Sequence, residues 1–413
     1  MDKIQIYVWG AGDKCKKVLS ALDENKCKVL GIIDNDPSKL GKSYNNLSIV
    51  KLEQISSKFD YIIISAVNFQ AILHQISETD IREDKVIIYY SKFQSMMGGY
   101  DFIDIKQWKI DILEERLNGI EHKYEIRIRN MVYEVLEKIN KQSINLPLFG
   151  SNEEALYKII NNGCSIIRFG DGEFNIMSGN GEPVFQKSSN ILAIRLREVL
   201  KSDNEKLLIA IAKNYGDLSV YPDDVADGIR EYMTDEIRTA HNSLLNYKRK
   251  YYDAYLFKCF IPHKDKENTD KRIQAVKSIW AGKDIVLIEG DKTRTGVGND
   301  LLDNTKSIRR ILCPTKNAWD RYDEIEEKAL NESKDKLVLI ALGPAGKVIG
   351  YDLFKNGYQV IDIGQMDMDY DWYLRGTGFK VGNKYKYVSQ LPPAEITEID
   401  NADYIGQIIA HIE

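Results

Sequence analysis

The sequence predicts an α/β protein built from two parallel-sheet domains joined by a helical connector. Three observations point there. From Ile4 to about Phe93, short β-branched runs alternate with helical stretches. From Ile105 to Asn140 the chain turns highly charged, with apolar residues spaced by three and four. After Leu146-Pro147 the alternation of strands and helices resumes and continues to the C-terminus. Alternation of this kind implies parallel strands with right-handed crossovers. The expected boundaries are 1–95 for a Rossmann-like nucleotide-binding or scaffold domain, 96–145 for the connector and 146–413 for the second domain.

In the first domain IQIYVWG reads as a strand, Lys14–Leu22 as a helix, and CKVLGIID, YIIISAV and KVIIYY as later strands. In the connector Ile110, Leu113, Leu117, Ile120, Tyr124, Ile128, Met131, Val135 and Ile139 fall on one helical stripe. About 30 residues at roughly 1.5 Å each make a rod of about 45 Å. Such a rod suits either a coiled coil pairing two copies as a homodimer or a linker lying across the next domain. In the second domain the expected strands are Ser165–Phe169, Leu207–Ala212, Ala254–Phe260, Asp284–Glu289, Ile308–Cys313, Leu337–Leu342 and Gln359–Ile363.

Composition narrows the function. The 413 residues carry 57 basic and 62 acidic side chains, a net charge of −5, which lacks the basic excess of a nucleic-acid binder. Cys15, Cys27, Cys164, Cys259 and Cys313 form an odd set without a CxxC pair, which fits a reducing compartment, so a cytoplasmic location is expected. The five histidines are scattered, leaving acid–base chemistry to carboxylates. The 24 tyrosines against 12 phenylalanines suit sugar contacts, or reflect compositional bias alone. The chain opens directly on a strand, with no leader pattern, and its apolar runs fall short of the roughly 20 residues that span a bilayer.

Two sets of turns carry candidate chemistry. In the first domain, Gly10 and Gly12 lie between a strand and a helix, where backbone N–H groups can cradle a phosphate, and Asp34 ends the second strand where a carboxylate can hold ribose hydroxyls. Cys15 replaces the third glycine of the dinucleotide pattern and no Tyr-x-x-x-Lys pair occurs there, which disfavours a dehydrogenase or epimerase. In the second domain Arg168-Phe169-Gly170-Asp171-Gly172-Glu173 runs from a strand into a Gly-spaced acidic turn. Asp171 and Glu173 can converge on a hard divalent cation, and Arg168 offers a planar fork for phosphate. The segment Glu289–Asp300, expected to precede a helix, offers Arg294, Gly296, Gly298, Asn299 and Asp300 as an anion cradle. Lys316 and Asn317, and then Gly343 and Pro344, follow two further strands. Ligands of open α/β sheets bind at the carboxyl ends of strands, and all four turns fall at such ends. Asp369 and Asp371 alternate with Tyr370 and Trp372 after the last expected strand, where a carboxylate can act as base toward a sugar hydroxyl.

These residues resemble two known families. Gly31 to Gly41 resembles the nucleotide-binding N-terminal domain of bacterial sugar-nucleotide acyltransferases. Residues 150–375, through RFGDGE, EGDKTRTGVGNDLLDN, CPTKNAWDRYDEI, ALGPA and DIG, resemble bacterial glycosyltransferases of the GT-D fold with an Asp-x-Glu motif. The second resemblance implies a UDP-sugar donor, commonly UDP-glucose, a divalent metal (Mn2+ or Mg2+) near Asp171 and Glu173, and a surface glycan or glycoprotein acceptor. It also marks departures: Gln365 stands where relatives often have His, Ala345 where they have Thr, and Asp369 and Asp371 where Glu is usual. The expectation is metal-assisted transfer of a hexose to a glycan hydroxyl. Its rival is a nucleotide-sugar-binding assembly or regulatory protein without turnover.

Overall fold

The computed structural model describes residues 3–66, 69–90, 101–139, 146–179, 181, 185–388, 391 and 395–413. It divides into two compact units, Met1–Tyr124 and Glu125–Glu413.

The first unit comprises β1 (Ile4–Trp9), α1 (Asp13–Ala21), β2 (Cys27–Ile33), β3 (Ser43–Tyr44), β4 (Leu47–Val50), β5 (Tyr61–Ile64), α2 (Phe69–Ser77), β6 (Val86–Tyr90), β7 (Asp101–Asp104) and the start of α3 (Ile105–Ile139). Its sheet has the order β3-β4-β2-β1-β5-β6-β7. The strands from β4 to β6 are parallel, with antiparallel additions at both edges. β3, β4 and β7 were not foreseen, because two to four residues are too few to display a period.

The second unit adds β8 (Leu148–Phe149), α4 (Asn152–Asn162), β9 (Ser165–Phe169), α5 (Asp171–Ser178), α6 (Asn190–Lys201), β10 (Leu207–Ile211), α7 (Asp223–Tyr232), α8 (Asp235–Leu244) and β11 (Lys250–Asp253). There follow α9 (Thr269–Lys277), β12 (Asp284–Gly290), β13 (Ser307–Cys313), α10 (Tyr322–Leu330), β14 (Leu337–Ala341), α11 (Gly343–Lys355), β15 (Val360–Asp362), α12 (Met366–Leu374), α13 (Ala402–Gln407) and β16 (Ile408–His411). The nine strands form one sheet in the order β16-β13-β12-β14-β15-β9-β10-β11-β8, with every pairing parallel. Both faces are covered, so β9, β10 and β14 are buried at every residue and read as unbroken apolar runs. Each fully buried Ile or Leu contributes about 1.5–3 kcal/mol. One face packs against α4, α9 and α12, the other against α5, α6, α7, α10 and α11. The expected strand Ala254–Phe260 is instead a 3-10 turn (Ala254–Phe257) that follows β11: the strand lies earlier, in Lys250–Asp253.

The connector forms one helix, as the spacing predicts, but its polar side makes the contacts. Within the second unit Arg127 pairs with Asp227 at 2.9 Å and Glu134 with Arg230 at 2.7 Å. The fully buried Asn130 donates to the Arg230 carbonyl at 3.0 Å and accepts from Arg238 at 2.6 Å. The apolar stripe from Leu113 through Tyr124 to Val135 stays exposed.

Candidate functional site

The site lies at a reversal in the wiring of the larger sheet. β12 is followed by a connection that packs Leu301 and Leu302 on the α9 face and leads outward to β13; its neighbour β14 is followed by α11, on the opposite face, which leads the other way to β15. The carboxyl ends of β12 and β14 therefore splay apart, the position where open α/β sheets take ligands. An inner pocket of about 90 Å³ opens there, lined by Gly290, Thr293, Leu342, Gly343, Gly364 and Gln365. It shares Pro314, Thr315 and Tyr387 with an outer cleft of about 560 Å³ at the ends of β12, β13 and β16, lined also by Lys292, Lys316 and His411. That volume suits a small-molecule ligand.

Gly343 begins α11 at the pocket floor, with Pro344 in the first turn. Its φ is +54°, and a Cβ there would stand 2.5 Å from the Phe185 ring, so glycine is required on two counts. The amides and positive end of α11 favour an anion at this spot. Asn317 fastens a strap across the pocket: its N–H donates to the Phe185 carbonyl at 2.8 Å and its Oδ1 accepts from Lys187 N at 2.9 Å. Lys316 beside it is exposed.

Gly170, Asp171 and Glu173 are not a loop but the N-cap and first turn of α5. Asp171 is exposed, with Oδ1 accepting from the Gly172 amide. Glu173 folds back: Oε2 accepts from Gly170 N at 2.8 Å and Oε1 lies 3.7 Å from Lys347 Nζ. Lys347 in turn sits 2.8 Å from the buried Asp362. Burial would raise the Asp362 carboxyl, but Lys347 and Arg168 outweigh it and hold it below the usual range. Arg168, expected to offer a fork to phosphate, spends that fork inside: it donates to the carbonyls of Asp362 and Ala254 at 2.7 and 2.8 Å, beneath Gly364, where a Cβ would overlap the guanidinium. It underpins the site rather than facing it.

No helix follows the Glu289–Asp300 segment: after β12 ends at Gly290 the chain runs through a series of turns into β13. Arg294 is 3% exposed and donates to the carbonyls of Tyr385 and Thr397 and to Glu398, so it anchors the C-terminal segment instead of an anion. Gly296 N and Asn299 Nδ2 both donate to Asp367, at 2.8 and 2.9 Å. Gly298 is exposed, and Asp300 pairs with Lys277 at 2.7 Å. Beneath the turns the buried Arg310–Glu289 pair ties β13 to β12, with Glu289 accepting from Thr295 N.

The acidic run after β15 is helical, which sends Asp369 to the opposite side from Asp367 and Asp371. Both Asp369 oxygens accept backbone N–H groups, from Phe260 at 2.7 Å and Ile261 at 3.0 Å, and only 3% of the residue is exposed. Burial pushes its carboxyl up against those two bonds. Asp371 pairs with Arg375 at 2.6 Å. Neither residue lines the pocket or the cleft, so the base expected of them lacks its geometry.

In the first unit Gly12 is the exposed N-cap of α1, and Asp34 turns back on that turn, accepting from Ala11 N at 2.7 Å and from Lys39 at 3.2 Å. Gly10, at φ +111°, presses against the end of β5: a Cβ would lie 3.1 Å from Ala66 N and from Ser65 Oγ.

Among the described residues no group of three or more His, Cys, Asp or Glu could by itself cage a metal. Of the two carboxylates expected to take Mg2+ or Mn2+, Asp171 is exposed, as a hard cation completed by phosphate and water would need, whereas Glu173 is buried with Oε2 accepting the Gly170 amide. Lys347, Asp362, Phe185 and Tyr387 were missed. Two left a trace: Lys347 stands one turn into the helix after ALGPA, and Asp362 opens the DIG turn.

Comparison with known proteins identifies the family of the second unit. Residues 166–391 match the family described as glycosyltransferase GT-D fold, and residues 2–87 match that described as C2185-like, N-terminal, in place of the acyltransferase domain that Gly31–Gly41 suggested. The chain is 30% identical over 268 residues to a protein of Streptococcus gordonii named probable glycosyl transferase Gly, covering 63% of this chain and 38% of that one. It is 27% identical over 374 residues to glycosyltransferase GlyD of Streptococcus pneumoniae serotype 4, covering 89% and 43%. The chain thus spans about two fifths of these relatives' length. A solved domain of unknown function 1792, described as having a distinct glycosyltransferase fold, superimposes with a TM-score of 0.61 at 31% identity, covering 65% of this chain and 97% of that one. A new glycosyltransferase from Streptococcus sanguinis does so with 0.61 at 28%, covering 65% and 100%. Among the described residues no helix is long and apolar enough to cross a membrane.

Proposed function

Since this chain belongs to the glycosyltransferase family of the GT-D fold, we propose that it transfers a hexose, glucose by preference, from a UDP-sugar to a hydroxyl of a surface glycan or glycoprotein. The observation that carries the reading is the continuity of one groove along the strand ends. It starts in the outer cleft at β13 and β12, passes the N-terminus of α11 at β14, and reaches Gly364 and Gln365 just after β15. A nucleoside fits the cleft beside Pro314 and Tyr387, with Lys316 and Lys292 near its phosphates. The diphosphate meets the amides of α11 around Gly343, where an anion is favoured. The sugar then lies toward α5.

Asp171 and Glu173 would hold the divalent cation. When bound, such a cation neutralises charge on the departing diphosphate. The chain's own residues set the stage: Lys347 and Asp362 fix Glu173 and the α5 start, and the Phe185 strap narrows the pocket over Gly343, limiting access by water. This arrangement favours a working enzyme over a binding-only protein, because Asp171 is left exposed at the start of α5.

The direct test is calorimetry with UDP, with and without manganese, alongside release of UDP from UDP-glucose. Manganese-dependent binding and turnover are expected, and Asp171→Asn should lower turnover by about 100-fold or more while the thermal midpoint is kept. UDP-glucose turnover by Asp171→Asn equal to that of the unaltered protein would remove the cation from this site.

A further inference from the structure

The exposed stripe of α3 has a period of its own. Leu113, Leu117 and Ile120 are repeated eleven residues later by Tyr124, Ile128 and Met131, and Val135 begins the pattern again. Three turns in eleven residues lie close to the 3.6-residue turn of the α-helix, so the stripe runs along the rod with only a gentle right-handed drift. Each of these side chains is at least 40% exposed. The second unit packs on the other side of the helix, through the buried Ile126 and Asn130. Gly119 also points away from the stripe, which therefore stays unbroken. Together these residues approach the roughly 800 Å² that one partner gives to a standard interface, more than a lone chain ordinarily leaves to water.

The flanks of the stripe say what covers it. Arg116, Lys123 and Arg127 stand three residues after Leu113, Ile120 and Tyr124 and line one flank, with Arg127 also paired to Asp227. Glu114, Glu121 and Glu125 stand one residue after the same three and line the other flank, fully exposed. One flank is basic and the other acidic. When two copies pair in parallel about a two-fold axis along the helices, the basic flank of each meets the acidic flank of the other. An antiparallel pair sets like charge against like on both sides.

We propose that the stripe seats a second copy of this chain, with α3 lying parallel and in register against α3 of the partner. The apolar side chains fill the seam and supply the affinity. Glu114 then lies opposite the partner's Arg116, and Glu121 opposite the partner's Lys123. Exposed pairs of this kind add little strength each, but their sign selects the parallel arrangement over the antiparallel one.

The test uses the full chain. In sedimentation equilibrium at tens of micromolar, the unaltered protein should run at twice the 47.4 kDa of one chain. Ile128 is 66% exposed, so Ile128→Glu should leave each copy folded by circular dichroism. It sets two like charges in the seam, and the dissociation constant should rise about 100-fold or more. Arg116→Glu with Lys123→Glu should weaken pairing about tenfold, and adding Glu114→Lys with Glu121→Lys should restore it. Orientation is read from Leu113→Cys combined with Cys27→Ser, since the other four native cysteines are buried. In the parallel pair the two new thiols meet across the axis, and mild oxidation should give a covalent dimer. In an antiparallel pair each would lie near the partner's Val135, roughly 33 Å from its counterpart, and no covalent dimer would form. A single-chain mass for the unaltered protein, or pairing by Ile128→Glu as tight as the unaltered protein's, would overturn the proposal. A dimer that Leu113→Cys does not cross-link would overturn the parallel arrangement.

Discussion

The two units each place a glycine turn between a parallel strand and a helix at the point where strand order reverses, and they treat it in opposite ways. In the first, the gap between β1 and β5 is closed: Gly10 presses on Ser65 and Ala66, and Asp34 bonds the amide of Ala11. In the second, the ends of β12 and β14 open on a pocket, and the ligand-facing residues lean on buried charges one layer below. The difference teaches that a glycine turn at a switch point is not by itself a site. What separates the two is whether a carboxylate fills the turn or braces it from beneath.

The largest contrast is expected from those carboxylates. Asp362→Asn would leave Arg168 buried with no carboxylate partner and Lys347 with Glu173 alone, 3.7 Å away, at a cost of about 3–5 kcal/mol at neutral pH. Because the folded carboxyl lies below its ordinary value, its stabilisation is present above about pH 4 and lost as the pH falls further. The difference in thermal midpoint between Asp362→Asn and the unaltered protein should therefore shrink in acid. Asp34→Asn, whose partner Lys39 has a side chain 38% exposed, should cost only about 1 kcal/mol. Equal losses from the two would break the comparison.

Next come the glycines. Gly343→Val should lower UDP-glucose turnover by about 100-fold by displacing Phe185 and the start of α11. Gly10→Ala should cost about 1–3 kcal/mol of stability in the first unit and leave turnover alone, as activity and melting measured on both variants will show. The smallest effect belongs to Asp371→Ala, which removes the half-buried partner of the solvent-screened Arg375. About 0.5 kcal/mol and no change in turnover are expected, and a tenfold loss of activity would return Asp371 to the chemistry.

Much of the second unit was legible because its strands are buried on both faces and announce themselves as unbroken apolar runs. β8 and β16 were not, since short edge strands carry little such signal. The site was legible in its turns but not in the orientation of its side chains. Arg168 and Arg294 look like phosphate forks in the sequence, yet both are consumed by backbone carbonyls, a long-range fact that no local spacing records. The acidic run Asp367–Asp371 was read with a period of two; the backbone there is helical, and the change of period moves Asp369 into the interior.

The position of β15 between β14 and β9 carries a consequence for the order in which this molecule is made. Arg168 meets Asp362 across 194 residues of chain. As the polypeptide leaves the ribosome, the acidic turn emerges long before the strand that braces it, and β9 lacks its β15 neighbour throughout that interval. Loop closure over such a span is slow, and it exposes an unpaired apolar strand meanwhile. The start of α5 is therefore braced only late in synthesis, when Asp362 and Lys347 arrive together and set Glu173 in place.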